Sequence, residues 1–154
     1  MPLSKVKELL DRQHINYATI NHDIAYTAQE AAAVAHVSGK TLAKTVLIRV
    51  DGRLAMAVVP ASYKVDLFAL QDALHARTCT LAREEDFFGA FPDCEPGAVP
   101  PFGNLYGMDV YVSEKLADQD EITICSGSHD QMIRLSYIDF EWLVEPKVET
   151  FARA

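Results

Sequence analysis

The sequence predicts an α+β fold: a curved, mixed, barrel-like β-sheet with helices at its periphery. Three observations carry that reading. Two nearly apolar runs, TVLIRV and LAMAVV, flank Asp51-Gly52-Arg53, and Asp-Gly between β-branched runs is a strong hairpin signal. Helical and strand-like segments alternate without a regular βαβ repeat, and no G-x-G-x-x-G follows a strand, which disfavours a doubly wound nucleotide-binding sheet. The 154 residues, about half of them hydrophobic, suit one core, so 1–154 reads as a single domain.

Each element follows from local pattern. Leu3, Val6 and Leu10 share one helical face, predicting an amphipathic helix over 4–13. YATI, at 17–20, is a short strand. Thr27 and Glu30 have capping-box spacing ahead of AAAVAHV, predicting a helix over 28–36 whose small residues suit close packing on a sheet. The hairpin strands are apolar on both sides, so both faces should be covered. Leu67, Leu70 and Leu74 put VDLFALQDAL in a helix, and LAREEDFFGAF reads as a shorter one ended by Gly89 and Pro92. MDVYVS and EITICS are strands joined by a polar turn around Asp118-Gln119-Asp120, and MIRL is another. Ser136 and Asp139 form a further capping-box pattern, opening a last helix through Trp142. Phe87, Phe88, Phe140 and Trp142 read as core aromatics.

Several function classes are disfavoured. No apolar run approaches the ~18 residues of a membrane span. MPLSKVKELLDRQ lacks the apolar centre of a signal peptide, so a cytoplasmic protein is expected. Cys79, Cys94 and Cys125 are widely spaced, and the five histidines are scattered, so neither a disulfide framework nor a metal site is expected. The formal net charge of −8 disfavours nonspecific nucleic-acid binding, although it does not exclude a local basic patch.

Three places combine unusual residues with loop or strand-end positions: Lys44 before TVLIRV, the loop Gly97-Ala-Val-Pro-Pro101-Phe-Gly103, and Cys125-Ser-Gly-Ser-His129-Asp130. Each has a bland reading: a solvated edge lysine, a rigid connection, and a turn whose histidine bonds the backbone. The loop EPGAVPPFGN poses the sharper question, because three prolines and two glycines exclude a helix or central strand while Ala98, Val99 and Phe102 are apolar.

Taken together, His22 to Ala32 (H-x-x-x-x-T-A-x-E-A-A), Ala43-Lys44-Thr45, Gly97 to Gly103 (G-x-x-x-P, then Phe-Gly) and Gly127-Ser-His-Asp130 resemble the YbaK-like editing domains. These are relatives of the insertion domain of bacterial prolyl-tRNA synthetase. The resemblance spans roughly residues 17–145. It implies a freestanding trans-editing aminoacyl-tRNA deacylase, without cofactor or metal, which hydrolyses the ester between a wrong amino acid and the 3′-terminal adenosine. It further implies that Lys44, Gly97 and His129 do the work. Ala98, Val99, Pro100, Pro101, Gly127, Ser128, Asp130 and His22 would then bind substrate, with His22 equally readable as a structural histidine. The Gly-Ser-His-Asp form points toward small acyl groups such as alanine, serine or threonine.

The chemistry fits those residue types. Backbone N–H groups on a stiff loop can stabilise the oxyanion of ester hydrolysis, with Gly97 and its neighbour as candidates. Three donors on a flexible stem suit Lys44 to phosphate or ribose oxygens. His129 would orient the amino group or the attacking water, with Asp130 fixing its tautomer. Expected partners are the acceptor end of aminoacyl-tRNA and an aminoacyl-tRNA synthetase, with no membrane. Lys40, Lys44, Arg49, Arg53, Lys64, Arg77, Arg83 and Arg134 are available for the RNA. Competing readings are a Cys-tRNA-type deacylase, a thiol hydrolase using Cys125 with His129, and a noncatalytic module that binds a small molecule or a synthetase.

Overall fold

The computed structural model describes residues 5–25, 28–87, 89–95 and 97–154. The expectations for Leu3, the Thr27 cap and Phe88, and Pro96 of the central loop, fall outside those residues. In chain order the elements are α1 (Lys5–Arg12), β1 (Tyr17–Asn21), α2 (Ala28–Val34), β2 (Ala43–Val50), β3 (Arg53–Pro60), β4 (Lys64–Val65), α3 (Leu67–Leu74), β5 (Cys79–Leu81) and α4 (Glu84–Phe87). A 3-10 turn at Gly103–Leu105 precedes β6 (Asp109–Ser113), α5 (Glu114–Ala117), β7 (Glu121–Cys125), β8 (Gln131–Ser136), α6 (Tyr137–Val144), β9 (Lys147–Glu149) and β10 (Ala152–Arg153).

The hairpin lies at the heart of a five-stranded mixed sheet, ordered β5-β2-β3-β6-β9. β2 and β3 pair antiparallel from Ala43↔Pro60 to Val50↔Arg53, whereas β6 runs parallel to β3. The period-two alternation of a strand gives β3 two apolar faces. Met56 and Val58 enter one core cluster, with Ala43, Phe102, Val112, Ile122, Ile133 and Phe140. Ala55, Ala57 and Val59 enter another, with Ile48, Leu70, Tyr111 and Phe151. Both faces are covered, as the apolar runs predict.

A second, three-stranded antiparallel sheet has the order β1-β8-β7. It meets the first at a single parallel bridge, Leu42↔Thr123, where the Thr123 N–H donates to Thr41 O at 2.9 Å. The larger sheet is mixed as expected, but the described strands do not close into a barrel: they divide into these two sheets and a short antiparallel pair, β4 with β10. Val6 and Leu10 of α1, and Tyr137, Phe140 and Val144 of α6, bury their apolar faces in the larger cluster. Phe102 packs edge-on to Phe140 at 5.6 Å between ring centroids. Full burial of such a side chain stabilises by about 1.5–3 kcal/mol.

Caps set several helix starts. Asp66 accepts from Ala69 N at 3.0 Å to open α3, Ser113 accepts from Lys115 N at 3.1 Å to open α5, and Ser136 accepts from Asp139 N at 3.4 Å to open α6. Other details differ from the sequence reading. Leu81 belongs to strand β5, leaving only Glu84–Phe87 helical. The segment after β6 is not merely a turn: Ser113 caps α5, and this helix carries the chain from one sheet to the other. Trp142 is 64% exposed, because in α6 it faces away from the side carrying Phe140 and Val144. The C-terminal strands were unanticipated. Phe151 between them is buried, and its carbonyl accepts the Asp66 N–H at 2.7 Å.

Candidate active site

A cavity of about 260 Å³ opens at the seam between the sheets. One side is formed by Lys44 and Thr45 at the start of β2. Opposite are Cys125, at the end of β7, and Gln131 and Met132, at the start of β8. Gly97, Ala98 and Val99 close a third side, Ser128 and His129 a fourth, and His22, Ala25 and Ala31 complete the lining. The three sequence-distant groups singled out above, Lys44, Gly97 and His129, therefore open onto one hollow.

Lys44 is half-buried, and its ammonium donates to Tyr63 O at 2.6 Å. Burial, and secondarily the charge of Lys64, holds its pKa below the ordinary lysine value. One carbonyl uses one of three ammonium donors, so the group retains hydrogen-bonding capacity.

The 95–103 loop divides its labour. Gly97 takes φ +82°, a left-handed conformation that glycine adopts without Cβ strain. The Ala98 N–H turns back to Glu95 O at 3.0 Å, so among the described loop residues that line the cavity the main-chain donors without a recorded partner are those of Gly97 and Val99. This changes the expected pair of oxyanion donors. Pro100 and Pro101 do not line the cavity. They are buried next to Phe102, which enters the core, and so they anchor the loop from behind.

His129 is held in a web of main-chain bonds: Ala25 N–H donates to its carbonyl at 3.1 Å, and His22 N–H to Asp130 O at 2.9 Å. Its ring is nearly buried, with 10% of the side chain exposed, and Nε2 lies 3.8 Å from Glu95 Oε2. The same Glu95 oxygen accepts from the His129 N–H at 3.4 Å, and the Glu95 N–H donates to Gly127 O at 2.7 Å. The carboxylate set beside the imidazole is thus Glu95's. Asp130, expected to fix the tautomer, is exposed, and its recorded contact is through its carbonyl. Gly127, at φ +110°, is buried behind the cavity rather than in its lining; a Cβ there would lie 3.5 Å from Cys94 Sγ. His22 lines the mouth while its Nδ1 pairs with Asp23 O at 2.6 Å, so it is both a structural and a rim residue.

Glu95, Gln131 and Met132 were not anticipated as lining or supporting residues, whereas Thr45 and Cys125, which belong to the stretches singled out above, also line the cavity. The hydroxyl oxygen of Thr45 is buried without a hydrogen-bond partner among the described residues. Gln131 accepts from Lys7 at 2.7 Å, pinning α1 to the cavity wall. Burial, with a smaller contribution from Cys94, raises the Cys125 thiol to about 11. A protonated thiol is a poor nucleophile at neutral pH, which removes support for the thiol-hydrolase reading. Among the described residues no cluster of three or more His, Cys, Asp or Glu could hold a metal.

The fold is a small α+β domain with a cavity at the seam of its sheets, and comparison with known proteins gives its class. The sequence model of the aminoacyl-tRNA editing domain matches residues 22–143. The chain belongs to that family and is an aminoacyl-tRNA deacylase. It is 29% identical over 148 residues to the prolyl-tRNA editing protein ProX of Acetoanaerobium sticklandii, covering 92% of this chain and 90% of that one. It is also 30% identical over 88 residues to the proline–tRNA ligase of Bacillus subtilis, covering 57% of this chain but only 15% of the ligase. Among solved structures, hypothetical protein APE2540 superposes with a TM-score of 0.84 at 18% identity, over 97% of this chain and 99% of that one. A candidate trans-editing enzyme for prolyl tRNA synthetase superposes with a TM-score of 0.79 at 18% identity, over 99% and 100%. No helix among the described residues is long and apolar enough to cross a membrane.

Proposed function

We propose that this chain, acting as one editing domain in the cytoplasm, hydrolyses mischarged tRNA in trans and takes a small acyl group of the alanine, serine or threonine class. What supports the reading most is the convergence of Lys44, Gly97 and His129 on one cavity of about 260 Å³ whose lining includes Ala25, Ala31, Ala98 and Val99. The acyl group enters between those small side chains. Size alone gives about 1–3 kcal/mol of discrimination per methylene, so a rigid wall that excludes larger residues complements a synthetase that cannot exclude smaller ones.

The ester is attacked by water, and the ester carbonyl becomes a tetrahedral oxyanion. The N–H groups of Gly97 and Val99 are placed to receive that charge, a role worth about 3 kcal/mol per donor. His129, steadied by Glu95, orients the attacking water or the amino group of the acyl residue. Lys44 holds the terminal phosphate or ribose oxygens. No enzyme-bound acyl intermediate is required: the tetrahedral intermediate collapses by breaking its bond to the ribose oxygen, which takes up the proton from the attacking water, leaving free amino acid and the 3′-terminal hydroxyl. Ser128, Asp130 and Gly127 shape the turn beside the substrate, and Pro100 and Pro101 stiffen the opposite loop. A tRNA-synthetase complex is the natural source of the substrate.

Ester loss followed on tRNAs charged with alanine, serine, threonine and cysteine tests this reading. Rapid loss from one or more of the first three is expected. Hydrolysis of the cysteinyl ester alone, or of none, overturns it.

A further inference from the structure

Four cations lie against or beside the Tyr63–Lys64 segment, next to the cavity-lining Lys44, in a chain whose net charge is −8. The Lys44 ammonium donates to Tyr63 O at 2.6 Å. Lys64 is the next residue, and the antiparallel β4–β10 pair sets Arg153 directly across from it. Residues directly opposite in such a pair present their side chains on the same face. Lys115 Nζ lies over the Tyr63 ring, 5.6 Å from its centroid. Lys64, Lys115 and Arg153 are exposed.

Arg49 lies 3.6 Å from Asp86 and Arg83 lies 3.4 Å from Glu85, whereas no ion pair among the described residues includes any of the four. The neighbouring acids are engaged locally: Asp66 caps α3, and Glu114 accepts the Ser113 hydroxyl at 3.4 Å. Like charges set opposite each other across a strand pair destabilise it, so a fold that retains them invites an anionic partner. The field of Lys64 at Lys44, which helps to lower the latter's pKa, agrees with their closeness.

We propose that Lys44, Lys64, Lys115 and Arg153 form a track for the phosphodiester backbone of the single-stranded acceptor end, leading its last nucleotide into the cavity. The proposal rests on the deacylase reading above. Lys44 belongs both to the track and to the cavity lining, so the strand held by the other three would deliver its terminal ester to the hollow. Arg153 lies beyond residues 22–143 of the family match, so this chain's own C-terminal strand would supply part of the RNA contact.

The test uses the full chain and an uncharged RNA minihelix ending in CCA, with binding followed by fluorescence anisotropy across a salt series. Each phosphate contact in a single strand contributes about 0.7 to the slope of log affinity against log salt. Lys64→Ala, Lys115→Ala and Arg153→Ala should each lower that slope by about 0.7, and the triple variant by about 2. Arg12→Ala, at the end of α1 and outside the track, should leave it unchanged. In deacylation, the triple variant should lose about tenfold in kcat/KM on charged tRNA relative to aminoacyl-adenosine, which carries no phosphate. An unchanged slope in the triple variant, or an equal loss on both substrates, overturns the track. If wild-type protein binds the minihelix with the expected slope but hydrolyses no charged tRNA, the deacylase reading fails while the track stands.

Discussion

Lys44 and His129 line one cavity, but different kinds of structure hold them. Lys44 belongs to a strand paired over eight residues with β3, whose last six positions are all buried. His129 belongs to a turn tied to its neighbours by a handful of bonds, among them Glu95 N–H to Gly127 O and His129 N–H to Glu95 Oε2. The strand wall is continuous with the core, and its position costs the whole fold to change. The loop wall is a local assembly that can shift without unfolding. On the proposed roles, one fixed wall and one locally tied wall would keep the Lys44 anchor constant while the loops set what acyl group fits.

Substitutions can break or sharpen that contrast. Lys44→Ala should have the largest effect, lowering kcat/KM on charged tRNA by about 100-fold or more, as for loss of a charge-stabilising donor. Wild-type turnover in that variant removes the strand wall from the site. Gly97→Val comes next: a β-branched residue at φ +82° is strained by about 1–2 kcal/mol and displaces the flanking N–H groups. Turnover should fall by about 30-fold, while far-ultraviolet circular dichroism stays native. Val58→Ala tests the strand wall through stability. Losing two buried methyls should cost about 2 kcal/mol in urea unfolding, more than any loop-wall change. Glu95→Gln keeps the side chain's size but weakens its hold on the imidazole. It should cost about tenfold in kcat, through a less well oriented imidazole, with Tm nearly unchanged. Cys125→Ala should matter least, keeping turnover within about threefold because the thiol is protonated; a loss beyond about 100-fold would restore the thiol route.

Much of this was legible in the residues. The Asp-Gly hairpin, the α3 helix and the Ser136 cap form where their patterns place them, since each rests on local chemistry. The motifs also marked three sides of the cavity correctly as loop and strand-end positions. What escaped was set by distance along the chain. β5, β9 and β10 have two or three residues each, too few for periodicity to show, and they exist because a neighbour pairs with them. Trp142 looked like core by residue type, yet its helix phase turns it outward. Asp130 adjoins His129 in sequence, but Glu95, 34 residues away, is the carboxylate that reaches the ring. Met132 and Thr45 look like ordinary strand residues until two sheets are brought together, and no single-segment pattern encodes that meeting.

The one-bridge seam at Leu42 and Thr123 has a further implication. Because the cavity straddles it, its gauge depends on how far apart the core that the two sheets share holds them. Bulk added or removed behind the junction, at Leu42 or Ile124, would widen or narrow the chamber without altering any group that meets the ester. Related chains could therefore come to accept different acyl sizes through hidden spacers alone, leaving the reactive constellation untouched.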